Sequence, residues 1–155
     1  MVAPTSDGPR VRVAAVILIG GKLLLVRQRK GGEPYYLLPG GGVNRGETLE
    51  QALRREVREE TGLECSVGAP ILINDTIAPT GGRHLVNITF HAEATGGALL
   101  EHPTDRTIEG IELVELSALE GLDLRPPIAQ AVLAVIESGF HAPAHYLGSM
   151  WAEDR

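Results

Sequence analysis

The stretch from Gly41 to Leu63, GGVNRGETLEQALRREVREETGL, limits what this chain can become more than any other. Its second half has the period of one helix, with Thr48 placed to cap the start and Gly62 to stop it. At the helical repeat, Leu49, Ala52, Leu53 and Val57 share the face that should be buried. Glu56 and Glu60 fall on that same face, and Glu59 flanks it. Like charges at these spacings cost about a few tenths of a kcal/mol per pair even in water, and burial adds to the cost. A plain amphipathic helix would not carry them. Either some bind protons or a cation sits among them, and all-oxygen ligands suit a hard divalent ion, Mg²⁺ or Mn²⁺, rather than zinc. The competing reading is a solvated, glutamate-rich helix. The facing of Glu56 and Glu60, with the glycine loop ahead of them, weighs against it.

The same stretch resembles the Nudix box, G-x5-E-x7-R-E-U-x-E-E-x-G-U with U apolar. Every defined position matches: Gly41, Glu47, Arg55, Glu56, Val57, Glu59, Glu60, Gly62 and Leu63. The resemblance implies an α/β fold, a Nudix-type α/β/α sandwich with a mixed central β-sheet. It implies water attack on a phosphorus of a nucleoside diphosphate linked to another moiety, with Glu56, Glu59 and Glu60 binding Mg²⁺ or Mn²⁺. The Gly41 carbonyl is a further candidate ligand, and Glu47 and Arg55 are the pair expected to brace loop against helix. The catalytic base stays open between the helix, where Glu59 is the candidate alongside Glu56, and a later loop. On that loop Glu109 stands just ahead of the apolar IELV strand, with Glu101 and Glu112 as rivals. ADP-ribose or another nucleotide sugar is the best single expectation for the substrate. The alternative is a nucleoside triphosphate pyrophosphohydrolase that clears modified nucleotides. A sensor that binds a nucleotide sugar without cleaving it is the third reading, and the complete set of box carboxylates weighs against it.

Composition bounds the rest. A chain of 155 residues is expected to form one domain: a flexible leader at 1–10, a body at 11–140, and a tail at 141–155 that packs on the body or on a second subunit. A net charge of −6 without a basic stripe argues against a general nucleic-acid binder. It leaves room for a small phosphorylated substrate, because a bound metal supplies local positive charge. Cys65 stands alone, so no internal disulfide can form and a reducing compartment is expected. The first ten residues lack the apolar core of a signal peptide, and the run Val13 to Ile19 is too short to span a membrane. The expected location is cytoplasmic. Resemblance to the family leaves a homodimer open, with the apolar tail as its surface.

Around the box, Val11 to Ile19 reads as a strand buried on both faces, and Gly20-Gly21 turns it into KLLLVRQ. Arg27, Arg29 and Lys30 gather at that strand's end, either as a solvated terminus or as phosphate contacts. Tyr36 stands three residues before Pro39, where Nudix proteins commonly carry an aromatic; it and Tyr35 either stack on a base or pack the loop. After the box come ECSVGAPILINDTIAP as one or two strands broken near Gly68, HLVNITFHAEA as another, and ALLE as a short one. IELVEL reads as an alternating strand, LSALEGLDL opens with a helical turn, and PPIAQAVLAVIESG reads as an amphipathic helix. His141 and His145 have a metal-compatible spacing only on a helix, which Pro143 between them disfavours.

Overall fold

The computed structural model describes residues 8–152, so most of the leader at 1–10 and the end of the tail lie outside the described residues. Among the described residues nine strands form two sheets, with two α-helices packed against them. The first holds β1 (Arg10–Val16), β5 (Gly40–Gly42), β6 (Leu63–Ile77), β7 (His84–Gly97) and β9 (His145–Ser149), in the order β5-β1-β7-β6-β9. Two of its pairings, β1 with β7 and β6 with β9, are parallel and the others antiparallel, which makes it mixed. In the second sheet β3 (Lys22–Arg29) pairs antiparallel with β2 (Leu18–Ile19), β4 (Pro34–Leu37) and β8 (Ile108–Val114).

Strand alternation builds the layers. Val13, Ala15 and Ile17 join Leu24, Phe90 and Cys65 in a core beneath α1 (Leu49–Thr61), which contributes Ala52, Leu53 and Val57. The intervening Ala14 and Val16 join Leu23, Leu25 and Leu72 in a second core, closed by α2 (Ala129–Glu137) and the 3-10 turn Leu116–Gly121. The result is an α/β/α sandwich. Burying both faces explains why Val11 to Ile19 reads as nearly all apolar. That run is two strands, not one: the chain leaves the first sheet at Ile17, whose carbonyl accepts from Leu24 N–H at 3.0 Å, and enters the second as β2.

The helix α1 begins where the sequence places it. Thr48 caps it and forms a reciprocal box with Gln51, and Gly62 closes it in the left-handed region at φ 83°. The ECSVGAPILINDTIAP segment is one strand, kinked by register shifts on either side of Pro70, which has no N–H to give the ladder. ALLE is not a strand: Leu100 N–H instead donates to Thr61 O at the end of α1. His145 lies in β9 and His141 in the irregular stretch before it, so no helix carries the pair. Among the described residues, no helix is long and apolar enough to cross a membrane.

Candidate active site

The glycine strand β5 is what brings α1 to the chemistry. Gly40 pairs with Ala14 and Gly42 with Arg12 along the edge of the first sheet. A Cβ on Gly40 would stand 2.0 Å from Val13 O, and one on Gly41 would stand 2.4 Å from the carboxyl carbon of Glu56. With no side chains in the way, Glu56 and Glu60 reach from α1 past β5 into a cavity of about 640 Å³. Glu60 accepts from Gly40 N–H at 2.7 Å. Burial pushes its carboxyl up to about 7, against the opposing pull of that N–H and of the Arg12 guanidinium.

Arg55 ties the loop to the helix. It forks onto Glu47, with Nε 2.7 Å from Oε2 and Nη2 2.9 Å from Oε1, and Nη2 also donates to Gly42 O at 3.0 Å. This fork, joined by the Asn44 N–H, holds the Glu47 carboxyl down at about 2. Nη1 donates to Glu56 at 2.8 Å and, more weakly, to Glu59 at 3.4 Å. Glu59 itself is more than half exposed and lies off the cavity lining. Among the described residues no three His, Cys, Asp or Glu side chains converge into a ready metal cluster.

The cavity's floor is the first sheet. Arg10 and Arg12 alternate on β1 opposite Leu85 and Asn87 of β7, and Leu85 in turn pairs with Thr76 of β6. Asn87 Nδ2 donates to Thr76 Oγ1 at 2.8 Å beneath that surface. Arg83 from the β6–β7 turn and Asp105 from the loop before β8 complete the polar lining, with Arg125 on the opposite wall. Glu56 and Glu60 attract the half-buried Arg12, and burial nonetheless holds its guanidinium below the ordinary value.

Several residues singled out in the sequence lie elsewhere, and strand parity is the reason. Gln28 and Tyr35 are cross-strand partners facing the cavity; Arg27 and Tyr36, the next pair, face away from it. Tyr36 packs into the α2-side core. Of the basic cluster only Lys30 reaches the lining. Arg27 is paired with Glu112 and lies 3.5 Å from Glu109, while Arg29 Nε is 2.8 Å from Glu109. Glu109 is therefore engaged on β8, and the loop carboxylate that does face the cavity is Asp105. Tyr35 takes the aromatic position on the wall, its hydroxyl donating to Gln28 at 2.9 Å and the Arg125 guanidinium 4.2 Å above its ring. The sequence reading missed Arg10, Arg12, Arg83, Asp105 and Arg125, and took Trp151, with Tyr146, only as docking the tail. The i, i+2 spacing of Arg10 and Arg12 at the head of an otherwise apolar strand was a legible signal; the others have none.

Comparison with known proteins follows the same lines. The NUDIX domain model matches residues 8–135. An ADP-ribose pyrophosphatase of Methanocaldococcus jannaschii is 32% identical over 72% of this chain and 66% of its own length. The NAD-capped RNA hydrolase NudC of Stutzerimonas stutzeri is 31% identical over 81% of this chain and 44% of that protein. The chain thus spans from under half to about two thirds of these relatives. A solved NUDIX hydrolase from Nitrosomonas europaea superposes with a TM-score of 0.75 at 25% identity, covering 88% of this chain and 93% of that one.

Proposed function

The chain belongs to the Nudix family, and on that footing we propose that it is a metal-dependent pyrophosphohydrolase of nucleoside diphosphate derivatives, with ADP-ribose or another nucleotide sugar as substrate. One observation carries the reading: carboxylates reach one end of the cavity while Arg10, Arg12 and Arg83 line its floor. That layout fits an extended anion with its scissile bond at the carboxylate end. A cavity of about 640 Å³ is in the range of small-molecule and cofactor sites.

The donor set fits a hard divalent cation. Glu60 is a desolvated carboxylate raised to about 7, so a neighbouring cation is what would keep it ionised at neutral pH. Glu56, Glu60 and the Gly41 carbonyl, which line the cavity, would hold Mg²⁺ or Mn²⁺, with Glu59 joining them by turning its exposed side chain inward, and the bound ion would neutralise charge on the pyrophosphate. The chain's own groups do the rest. Arg10, Arg12 and Arg83 bind phosphate oxygens and orient the pyrophosphate. Asp105 takes the proton of the attacking water; the new O–P bond forms as the bridging P–O bond breaks, leaving two monophosphates. Arg55 keeps Glu56 and the Gly42 backbone in register with that reaction.

The test is cleavage across ADP-ribose, other nucleotide sugars, dinucleotides and nucleoside triphosphates, each with Mg²⁺, Mn²⁺ and EDTA. AMP released from ADP-ribose, and lost in EDTA, is expected. Pyrophosphate released from triphosphates instead would move the substrate class. Tight binding of one ligand with no cleavage would make the protein a sensor.

A further inference from the structure

The proposed chemistry accounts for one end of the cavity and leaves the other without a role. The floor runs in strand order from the glycines of β5, over Arg12 on β1 and Asn87 on β7, to Trp151 just past β9. Four strand spacings of about 4.8 Å each, roughly 19 Å, separate the two ends. At the carboxylate end the lining is charged; at the far end the tail supplies Met150 and Trp151.

The tail is fixed in place there. Its strand β9 pairs in parallel with β6, with Ile73 opposite Tyr146 and Asp75 opposite Ser149. Met150 N–H then donates to Asp75 O at 2.8 Å, and the Tyr146 hydroxyl donates to the Asp75 carboxylate. Trp151, a half-buried residue, follows directly on this anchored backbone, so presenting its side chain to a ligand costs little ordering entropy. The cavity's other aromatic, Tyr35, already has Arg125 across its ring. Among the described residues no ring or guanidinium is stacked on Trp151.

We propose that Trp151 is the stacking platform for the substrate's nucleobase, with the pyrophosphate laid back over Arg12 toward Glu56 and Glu60. This rests on the hydrolase reading above and adds the residue that selects a nucleoside at the far end. Stacking on an indole is tolerant of base identity, because every base has a π-face. The platform therefore selects for a base as such and leaves discrimination among bases to other contacts.

Trp151 is the chain's one tryptophan, so emission reports on this site alone. AMP, ADP-ribose and ribose 5-phosphate are titrated in EDTA, with binding followed in parallel by calorimetry. AMP and ADP-ribose are expected to quench the emission and ribose 5-phosphate to leave it unchanged. In the metal-loaded enzyme, Trp151→Ala should raise KM for ADP-ribose about tenfold, the scale seen on removing a base-stacking ring. The same variant should keep kcat within about twofold, and Trp151→Phe should restore most of the KM. Calorimetric binding with unchanged emission, together with an unchanged KM in Trp151→Ala, overturns the platform and leaves the hydrolase reading intact. A wild-type protein that neither binds nor cleaves any of these nucleotides overturns both.

Discussion

Gly41 lies so close to Glu56 that a Cβ at position 41 would fall 2.4 Å from the carboxyl carbon. The Gly41 φ lies outside the left-handed region, so alanine would fit the backbone there and strain only that contact. Gly41→Ala is therefore expected to displace the carboxylate while leaving the fold alone. Misplacing a catalytic group by about 1 Å can cost on the order of a hundredfold in rate. A kcat that falls by less than about threefold in this variant would mean that the Glu56 position does not matter to turnover.

Glu60 makes the metal-free protein pH-sensitive. Its folded carboxyl is at about 7 against an ordinary 4.5, so the folded state binds the proton more tightly. The stability this contributes is fully present below 4.5 and is lost as pH rises through about 7. The slope across that window approaches about −1.4 kcal/mol per pH unit. Urea titrations in EDTA from pH 4.5 to 8 should show it, and Glu60→Gln should flatten it.

Glu47 is perturbed in the opposite sense. Its depressed carboxyl, at about 2, favours the fold above 4.5, and that contribution fades as pH falls toward 2. Since the Arg55 fork is the largest cause, Arg55→Ala should return Glu47 close to 4.5. Side-chain carboxyl NMR titration of both proteins measures the shift directly, and a Glu47 that still titrates near 2 in the variant would assign the depression to the Asn44 N–H.

Placement in different sheets separates two arginines that composition treats alike. Arg12→Gln is expected to raise KM at least tenfold, because it removes a guanidinium from the cavity floor. Arg29→Ala removes an exposed partner of Glu109. It should leave KM within twofold and cost at most about 1 kcal/mol of stability. Equal KM effects in the two variants would contradict this placement.

Two carboxylates compete for the role of base. Asp105 faces the cavity and Glu109 is held by Arg29 on β8. Asp105→Asn should lower kcat about a hundredfold or more; Glu109→Gln should change kcat by no more than about twofold. The reverse ranking would return the base to Glu109.

The sequence is legible where a local rule is also the global one. Thr48, Gln51 and Gly62 bound α1 by capping chemistry that needs no tertiary partner. Alternation along β1 and β3 shows as an apolar run because both faces are buried. The motif itself names the box residues. What it cannot convey is which side of a strand faces a cavity formed by distant segments. Tyr35 and Tyr36 are adjacent, and only the pairing with Gln28 and Arg27 decides which of them lines the wall. Arg83, Asp105 and Trp151 arrive from a turn, a loop and the tail, and nothing local in the sequence says that the fold brings the three to one cavity. The split at Ile17 is invisible for a related reason: two strands of different sheets abut there without a turn residue between them.

The glycine strand gives the sheet a further property. Arg10 and Arg12 project from one of its faces, and the glutamates of α1 belong to a helix that covers the other, so the sheet works as an insulator between two opposite electrodes. At Gly40–Gly42 the insulation is a bare backbone, with Glu56 beside Gly41 and Arg10 beside Gly42. Any side chain introduced on those three residues would begin to close the gap.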